Sequence, residues 1–504
     1  MDFSGSLNSY PKEILSVERP KNTIVYAYGK NKDKYAVKKR TGCRYDNGRR
    51  IPVTGSTIGH IIDFKYVPME EAHECVSYSP VELKDWADVT LCISLFSDIL
   101  DELLCVYNRS DAVKIFCIAI LRVCNPGIKD CELKEAYDTS FLSQIYPDVA
   151  LSKNTVCKFI NDLGKACSRI ELFMRNRANN VGLDHHLLVD GTLKSDESRI
   201  NTLSDFSRKA KTKGTRDISV MFAFDLEKME PLCSKCFPGN MLDITSYEAF
   251  IADNGIKRGI IVADKGIPAS AAKEHFSDNP DLHYLNPIKR NAKVIDIYKL
   301  HDYDGILSSS EDILYRKVKC EKTDKWLYSF RDAAQAAAEE RDYLKNAKRK
   351  GTYSYAHLLN KQSSFGTLVL ESDLDMTPEA AYKTYSCRWE IELVMRFYKS
   401  ACRFDETRVQ DDYSVIASEF CDFLSTILTF RLINKFDQVS LLEKMTYKRV
   451  MQILRRAKMV KHSDGDWQLI KTAPSQLDVL QKLGLIDTSP SPKRKPGRPP
   501  KNCV

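Results

Sequence analysis

The stretch Tyr385-Ser-Cys-Arg388-Trp-Glu-Ile-Glu392-Leu-Val-Met-Arg396-Phe-Tyr-Lys399 decides how this chain is read. It follows Thr377-Pro378-Glu379, a helix-start signal. Thr377 suits the cap, Pro378 the first helical position, and Glu379 the positive end of the helix dipole. No Gly or Pro interrupts before Lys399, so one long helix is expected. At ~100° per residue, with Tyr385 at zero, Arg388 falls near ~300°, Glu392 near ~340°, Lys399 near ~320° and Arg396 near ~20°. Those residues share one stripe, whereas Glu390, near ~140°, points elsewhere. The stripe is either a solvated face or a metal-binding carboxylate in a basic strip that grips phosphates. A solvated face would be held by pairs of Glu392 with Arg388 and Arg396, each worth about 0.2–0.5 kcal/mol. Partner acids elsewhere in the chain decide between them.

The 504 residues suffice for several domains at roughly 100–200 residues each. A composition 43% hydrophobic and 29% charged is that of a globular protein, not of a disordered or fibrous chain. The net charge of +8 permits a nucleic-acid partner without requiring one. No basic segment followed by an apolar run opens the chain, so no secretory signal is expected. The most apolar run, Ala112 to Cys124, is broken by Lys114 and Arg122. It is shorter than the ~20 residues that span a bilayer, and predicts a buried helix and no membrane partner. Of 16 cysteines, only Cys233-Ser-Lys-Cys236 has knuckle spacing, and no second pair completes four zinc ligands. Reduced thiols in a cytoplasmic setting follow.

Along the chain the texture changes several times. Residues 1–70 form a small basic β-rich segment. Its Lys30, Lys32, Lys34, Lys38, Lys39, Arg40, Arg44, Arg49 and Arg50 belong either to a DNA contact or to a solvated β-meander. Residues 71–183 are helical, with Leu91, Leu95, Ile99 and Leu103 at helical spacing. Ser152 opens a helix there that fits either a DNA-reading helix-turn-helix or a plain bundle. Residues 184–288 alternate strands and helices, 289–370 are β-rich with one helix, and 371–436 carry the opening stretch. A further helical region occupies 437–488, including a helix expected over Leu441–Lys458. The tail, 489–504, is basic and proline-rich and reads as disordered.

Two carboxylates end expected buried strands: His185-His-Leu-Leu-Val-Asp190 and Arg258-Gly-Ile-Ile-Val-Ala-Asp264. Between them lie the pieces of a βββαβ unit, in which first and fourth strands are neighbours, so the two acids can meet. Glu392 arrives later on a helix that can pack on that sheet. Three converging acids repel unless a cation compensates. Oxygen ligands select Mg²⁺ or Mn²⁺, and two such ions serve phosphodiester chemistry. Asp184 and Asp196 compete with Asp190 for the first place.

Asp190-Gly191-Thr192, Asp264-Lys-Gly266 and Tyr385-x2-Arg388-x3-Glu392-x6-Lys399 resemble the DDE transposases of bacterial insertion sequences, in particular insertion-sequence family four with its YREK signature. Phe237-Pro-Gly239-Asn240 with Asp243 resembles that family's stretch between the first two acids. The resemblance implies an α/β fold: an RNase H-like mixed-sheet catalytic core with a β-rich insertion, preceded by a helical N-terminal region. It implies Asp190, Asp264 and Glu392 as catalytic carboxylates and ligands of two Mg²⁺ ions, with Mn²⁺ able to substitute. Tyr385, Arg388, Arg396 and Lys399 would contact DNA near the cut, and Trp326 is the candidate to hold a flipped base, or else a hairpin core residue. The partners implied are terminal inverted repeats and target DNA, bound by a homodimer on the bacterial nucleoid. Around Arg498, Lys495-Pro-Gly497-Arg498-Pro499 resembles an AT-hook with Pro496 where Arg is usual; it is either that or an extended basic linker.

The function expected is Mg²⁺-dependent cleavage and strand transfer at element ends. The alternatives are a transposase-derived DNA-binding protein without activity, or an RNase H-like nuclease. Helical phase separates two neighbouring acids experimentally. Glu392→Gln should abolish metal-dependent cleavage of end DNA in a gel assay, and Glu390→Gln should cleave nearly as wild type. Loss of cleavage in the Glu390 variant would show the phase to be wrong.

Overall fold

The computed structural model describes residues 10–29, 34–46, 49–69, 81–196, 198, 200–207, 214–241, 243–263, 273–388, 406–407, 409–462 and 465–487. The chain divides into two units, Met1–Glu82 with Lys461–Asp466, and Leu83–Val460 with Trp467–Val504.

The first unit holds α1 (Lys12–Leu15) and an antiparallel sheet in chain order: β1 (Thr23–Tyr28), β2 (Lys34–Asp46), β3 (Arg49–Ile62) and β4 (Lys65–Pro68). Ile14, Val25, Val37 and Ile61 form its small core.

Along the chain then come β5 (Val81–Asp85) and the helices α2 (Ala87–Leu104), α3 (Arg109–Cys124), α4 (Leu133–Thr139), α5 (Leu142–Ile145), α6 (Lys153–Lys165) and α7 (Cys167–Asn179). The apolar run expected as a buried helix is α3. The Asn108 side chain caps it by accepting from the Asp111 amide at 3.0 Å, and every residue from Ile115 to Cys124 is buried. Among the described residues no helix is long and apolar enough to cross a membrane.

The main sheet begins here: β6 (His186–Asp196), β7 (Asp205–Phe206), β8 (Arg216–Asp225), β9 (Glu230–Pro238), α8 (Asp243–Asn254), β10 (Gly259–Ala263), α9 (Lys273–Asp278) and β11 (Leu282–Pro287). Its spatial order is β9-β8-β6-β10-β11. β6, β8 and β9 run antiparallel, while β10 is parallel to β6 and β11 is parallel to β10. Three antiparallel strands followed by two parallel ones in this order make a mixed sheet of the RNase H-like kind. Parallel neighbours need crossovers, which α8 and α9 lie within.

The next stretch holds α10 (Lys293–Ile297), β12 (Gly305–Leu307), β13 (Ser310–Cys320), β14 (Lys325–Asp332), α11 (Ala333–Arg349), α12 (Tyr355–Gln362) and β15 (Thr367–Ser372). β15 pairs antiparallel with both β11 and β14, so these strands prolong the main sheet. The helix α12 escaped the sequence reading because it is short and buries only Leu358. After it come α13 (378–388), β16 (Glu406–Thr407), α14 (Asp412–Gln438) and α15 (Tyr447–Arg456). The helix expected from Leu441 starts only at Tyr447, where Thr446 accepts from the Arg449 amide at 3.3 Å.

α14 is the centre of this unit. Its Phe420, Phe423, Leu424, Ile427, Leu428 and Phe430 are buried, and it packs on α2, α3, α6, α7 and β9. Arg177 of α7 and Arg431 of α14 share Glu230 of β9, at 3.2 and 2.7 Å, binding the helices to the sheet edge. α6 lies against α14 along Val156, Ile160 and Leu163, the packing of a bundle helix. The approach is close at Gly164, where an added Cβ would stand 1.8 Å from the Tyr413 carbonyl oxygen.

Gly164→Ala should therefore destabilise the protein by about 1–3 kcal/mol through overpacking. Urea unfolding would measure it. Gly465→Ala, where nothing lies within 4 Å, should leave the curve unchanged.

Candidate active site

β6 carries the first expected acid. Leu187, Leu188 and Val189 are buried, as befits a central strand with neighbours on both sides. In the parallel pairing, Val189 of β6 stands beside Ala263 of β10. The residue after Val189 is Asp190, and the residue after Ala263 is Asp264. Asp190 is half-buried, pairs across the sheet with Phe222, and accepts from the Gly191 amide at 2.9 Å. On the same edge of β6, β10 pairs through Val189 and β16 takes over at Ser195. Asp190 thus sits between two successive partners of its strand. Asp264, Glu392, Arg396, Lys399 and Arg498 lie outside the described residues, as does Glu390.

The rival acids have other surroundings. Asp184 is exposed, ahead of the strand. Asp196 is buried at the strand's far end, where it accepts from the Ser198 amide at 2.9 Å and from Asn201 Nδ2 at 2.6 Å, which is the work of a turn. A group the sequence reading missed is His185, Asp225 and Glu227, whose ligand-type atoms lie within 4.8 Å of one another. Asp225 pairs with Leu187, roughly 10 Å along β6 from Asp190. Its carboxylate meets His185 Nδ1 at 2.8 Å and accepts from the Glu227 and Lys228 amides at 3.1 Å, closing the turn after β8.

α13 begins as its capping signal predicts, with Thr377 Oγ1 accepting from the Ala380 amide at 3.1 Å. Tyr385 is buried among core residues, not displayed on the surface. Its Oη accepts from Arg388 Nη1 at 3.1 Å, and the guanidinium carbon stands 5.9 Å from the ring centroid. The two therefore share a stripe, as their spacing predicts. Trp326 is half-buried on β14, with Lys317 Nζ 4.5 Å and Lys319 Nζ 5.6 Å from its ring centroid.

Cys233 and Cys236 lie on β9, three positions apart, so their side chains leave opposite faces of the strand. Among the described residues, the knuckle spacing builds no metal cluster.

A second feature that the sequence did not announce lies on the same strand as Asp190. Lys194, on the same face by strand alternation, is buried. Its Nζ meets Glu419 Oε2 at 2.5 Å and Asp422 Oδ2 at 3.1 Å, both on α14. Asp422 Oδ1 accepts from Arg122 Nη1 of α3 at 2.7 Å, and Arg122 also reaches Asp130 at 3.3 Å. Burial pushes the Glu419 carboxyl up to about 7, against the opposing pull of Lys194. Arg122, Asp130, Glu419 and Asp422 border a cleft of about 900 Å³ between α3, α6 and the start of α14.

Residues 182–415 match the family model described as transposase DDE domain, the domain of an enzyme that cleaves DNA and transfers the strand. No curated protein matches the chain. Among solved structures, the chain is similar to a piggyBac transposase synaptic complex with hairpin DNA, at 13% identity and TM-score 0.39. That similarity covers 75% of this chain and 82% of the other. It is also similar to a Mos1 transposase paired-end complex with left transposon end, at 11% identity and TM-score 0.15. The coverage there is 31% of this chain and 58% of that one. The fold assignment rests on the strand order above.

The raised Glu419 carboxyl sets a pH dependence. Its folded value, about 7, lies above the ordinary 4.5, so the native state holds the proton longer than the unfolded chain. Its stabilising contribution is present below about pH 4.5 and is lost as pH rises through 7. Thermal melting of wild type relative to Glu419→Gln should therefore fall between pH 5 and pH 8. Parallel pH profiles would show that Glu419 does not titrate there.

Proposed function

We propose that the chain is a DDE transposase of the insertion-sequence family four kind, cutting DNA at element ends and joining the freed 3′ ends to a target. One observation carries this reading most: the register that aligns Val189 with Ala263, so that Asp190 and Asp264 each follow a paired position on neighbouring parallel strands. The domain match over residues 182–415 supports it, since it spans all three acids and the YREK spacing.

An all-carboxylate donor set suits divalent Mg²⁺ or Mn²⁺; held by Asp190, Asp264 and Glu392, two such ions would supply a water of lowered pKa and a clamp for the leaving oxygen. The chain's own residues do the rest. Val189 and its buried neighbours hold Asp190 on a central strand that cannot shift without disturbing the sheet. Arg388, Arg396 and Lys399 neutralise the phosphates flanking the cut. Tyr385 acts through Arg388: its buried ring and hydroxyl fix the guanidinium's direction. Trp326, flanked by Lys317 and Lys319, offers a face for an unpaired base beside cations for its phosphate. Arg498 would add a minor-groove contact from the tail. Two copies, each holding one terminal inverted repeat, complete the proposed assembly.

The test uses purified full chain, Mg²⁺ and duplex DNA carrying the element's terminal inverted repeats. Asp190→Asn should reduce nicking by at least about 10²-fold, the order lost when one preorganised group that stabilises transition-state charge is removed. Its binding to the same duplex should stay within about threefold of wild type, because most of that binding is electrostatic attraction to phosphates. Nicking by Asp190→Asn at the wild-type rate would overturn the assignment.

A further inference from the structure

The first unit contains a feature that its own fold does not use. β1 pairs with β2 only from Lys34 to Lys39, and β4 pairs with β3 only from Gly59 to Ile62. Beyond those positions β2 and β3 continue together as a two-stranded ribbon, with Arg40 opposite Thr54, Arg44 opposite Ile51, Tyr45 opposite Arg50 and Asp46 opposite Arg49. Among the described residues no third strand flanks it in the sheet. Seven residues at about 3.3 Å each give a projection of roughly 20 Å.

The ribbon contributes nothing to the unit's core. Ile14, Val25, Val37 and Ile61 all lie at its base. Between Lys38 and Ile58 no described residue is buried. Arg40, Thr41, Gly42, Cys43 and Arg44 are exposed, and Tyr45 is 73% exposed. A bare two-stranded ribbon is marginal by itself, and open strand edges invite unwanted pairing. The chain nonetheless carries it, and its charge is one-sided. Lys38, Lys39, Arg40, Arg44, Arg49 and Arg50 stand against the single acid Asp46. Register irregularities between Val37 and Gly42 mark where the ribbon leaves the sheet. Bulges of this kind increase local twist and re-aim a strand.

We propose that this ribbon, Arg40–Asp46 with Arg49–Thr54, is a duplex-DNA-reading arm that enters the major groove. The groove, about 12 Å wide, admits a two-stranded β-ribbon. Arg40 and Arg44 then reach phosphates or the guanine edge, and Tyr45 lies at the tip beside Arg50, where a ring packs on sugar or base methyl groups. The identity of the partner as DNA rests on the transposase reading; the position of the arm rests on the pairing, exposure and charge described here. Recognition of element ends would thereby rest on a segment other than the one that carries Asp190.

The experiment uses the full chain and a labelled duplex carrying one terminal inverted repeat. It compares wild type, Arg40→Ala/Arg44→Ala, Tyr45→Ala, Arg40→Lys/Arg44→Lys and Asp190→Asn. The double alanine variant should bind at least tenfold more weakly at 0.1 M salt. Its log–log salt slope should fall by about two, at roughly 0.9 for each phosphate that is no longer neutralised. Dimethyl sulfate protection of guanine N7, which faces the major groove, should vanish with it. Unchanged melting and circular dichroism are expected, because the ribbon buries no described core residue. The lysine pair should retain the salt slope and lose the guanine protection, since bidentate contact needs the guanidinium fork. Tyr45→Ala should weaken binding several-fold without moving the slope. Wild-type affinity and N7 protection in the double alanine variant would overturn the arm, as would equal binding to single strands. A wild type that protects the repeat through this arm but never nicks it would overturn the transposase reading and leave the arm standing.

Discussion

Lys194 on β6 is held by Glu419 and Asp422 of α14, and Asp422 is held in turn by Arg122 of α3. This chain of buried charges joins the strand of Asp190 to the central helix and to the N-terminal helices. Burying an ion pair gains little net stability, since desolvation offsets attraction. Its effect is on uniqueness. If α14 rotated by one residue, Glu419 and Asp422 would leave Lys194 unpaired, at a cost of about 3–5 kcal/mol for a stranded buried charge. The apolar faces of α14 supply most of the attraction, and the charges choose among the ways of packing them. Ser425 Oγ, donating to the Ala119 carbonyl at 3.1 Å, adds a second polar constraint between α14 and α3.

A strand pinned in this manner has a definite height relative to its neighbours. β6 pairs with β8 along its length and passes from β10 to β16 on its other edge. In a mixed sheet the ends of parallel strands leave a crevice where polar groups can meet a ligand. Asp190 stands where β10 gives way. The neighbouring helix α13 enters from β15 by way of the Thr377 cap, with Tyr328 Oη donating to the Leu374 and Met376 carbonyls at 3.0 and 3.2 Å. The extension β12 to β15 is thus continuous with the sheet that carries Asp190, so the helix bearing Arg388 is hung from the same framework.

Much of this was legible locally. A continuous apolar run flanked by acids announced β6 and β10, and a Thr-Pro-Glu signal announced the start of α13. Alternating residues around a polar turn announced β13 and β14. What escaped were features whose partners lie far along the chain. Lys194 looks like a solvated strand residue until Glu419 is brought beside it. Tyr385 looks like a surface aromatic until the core closes over its ring. α12 buries too little to leave a periodic trace. The His185, Asp225 and Glu227 group looks like two unrelated polar turns, because strand pairing alone brings them together.

The order of elements, the acids that close the two apolar runs and the basic ribbon are properties of short segments, since hydrophobic period, caps and turn residues act over a few neighbours; that β6 runs on past Asp190 to Asp196 was not legible there. The strand order, the burial of Tyr385, the pairing of Lys194 with α14 and the projection of the ribbon beyond its sheet came only with the tertiary structure. Each depends on which distant surfaces meet. That choice is made by the collective burial of apolar faces and by the penalty for leaving a buried charge without its partner.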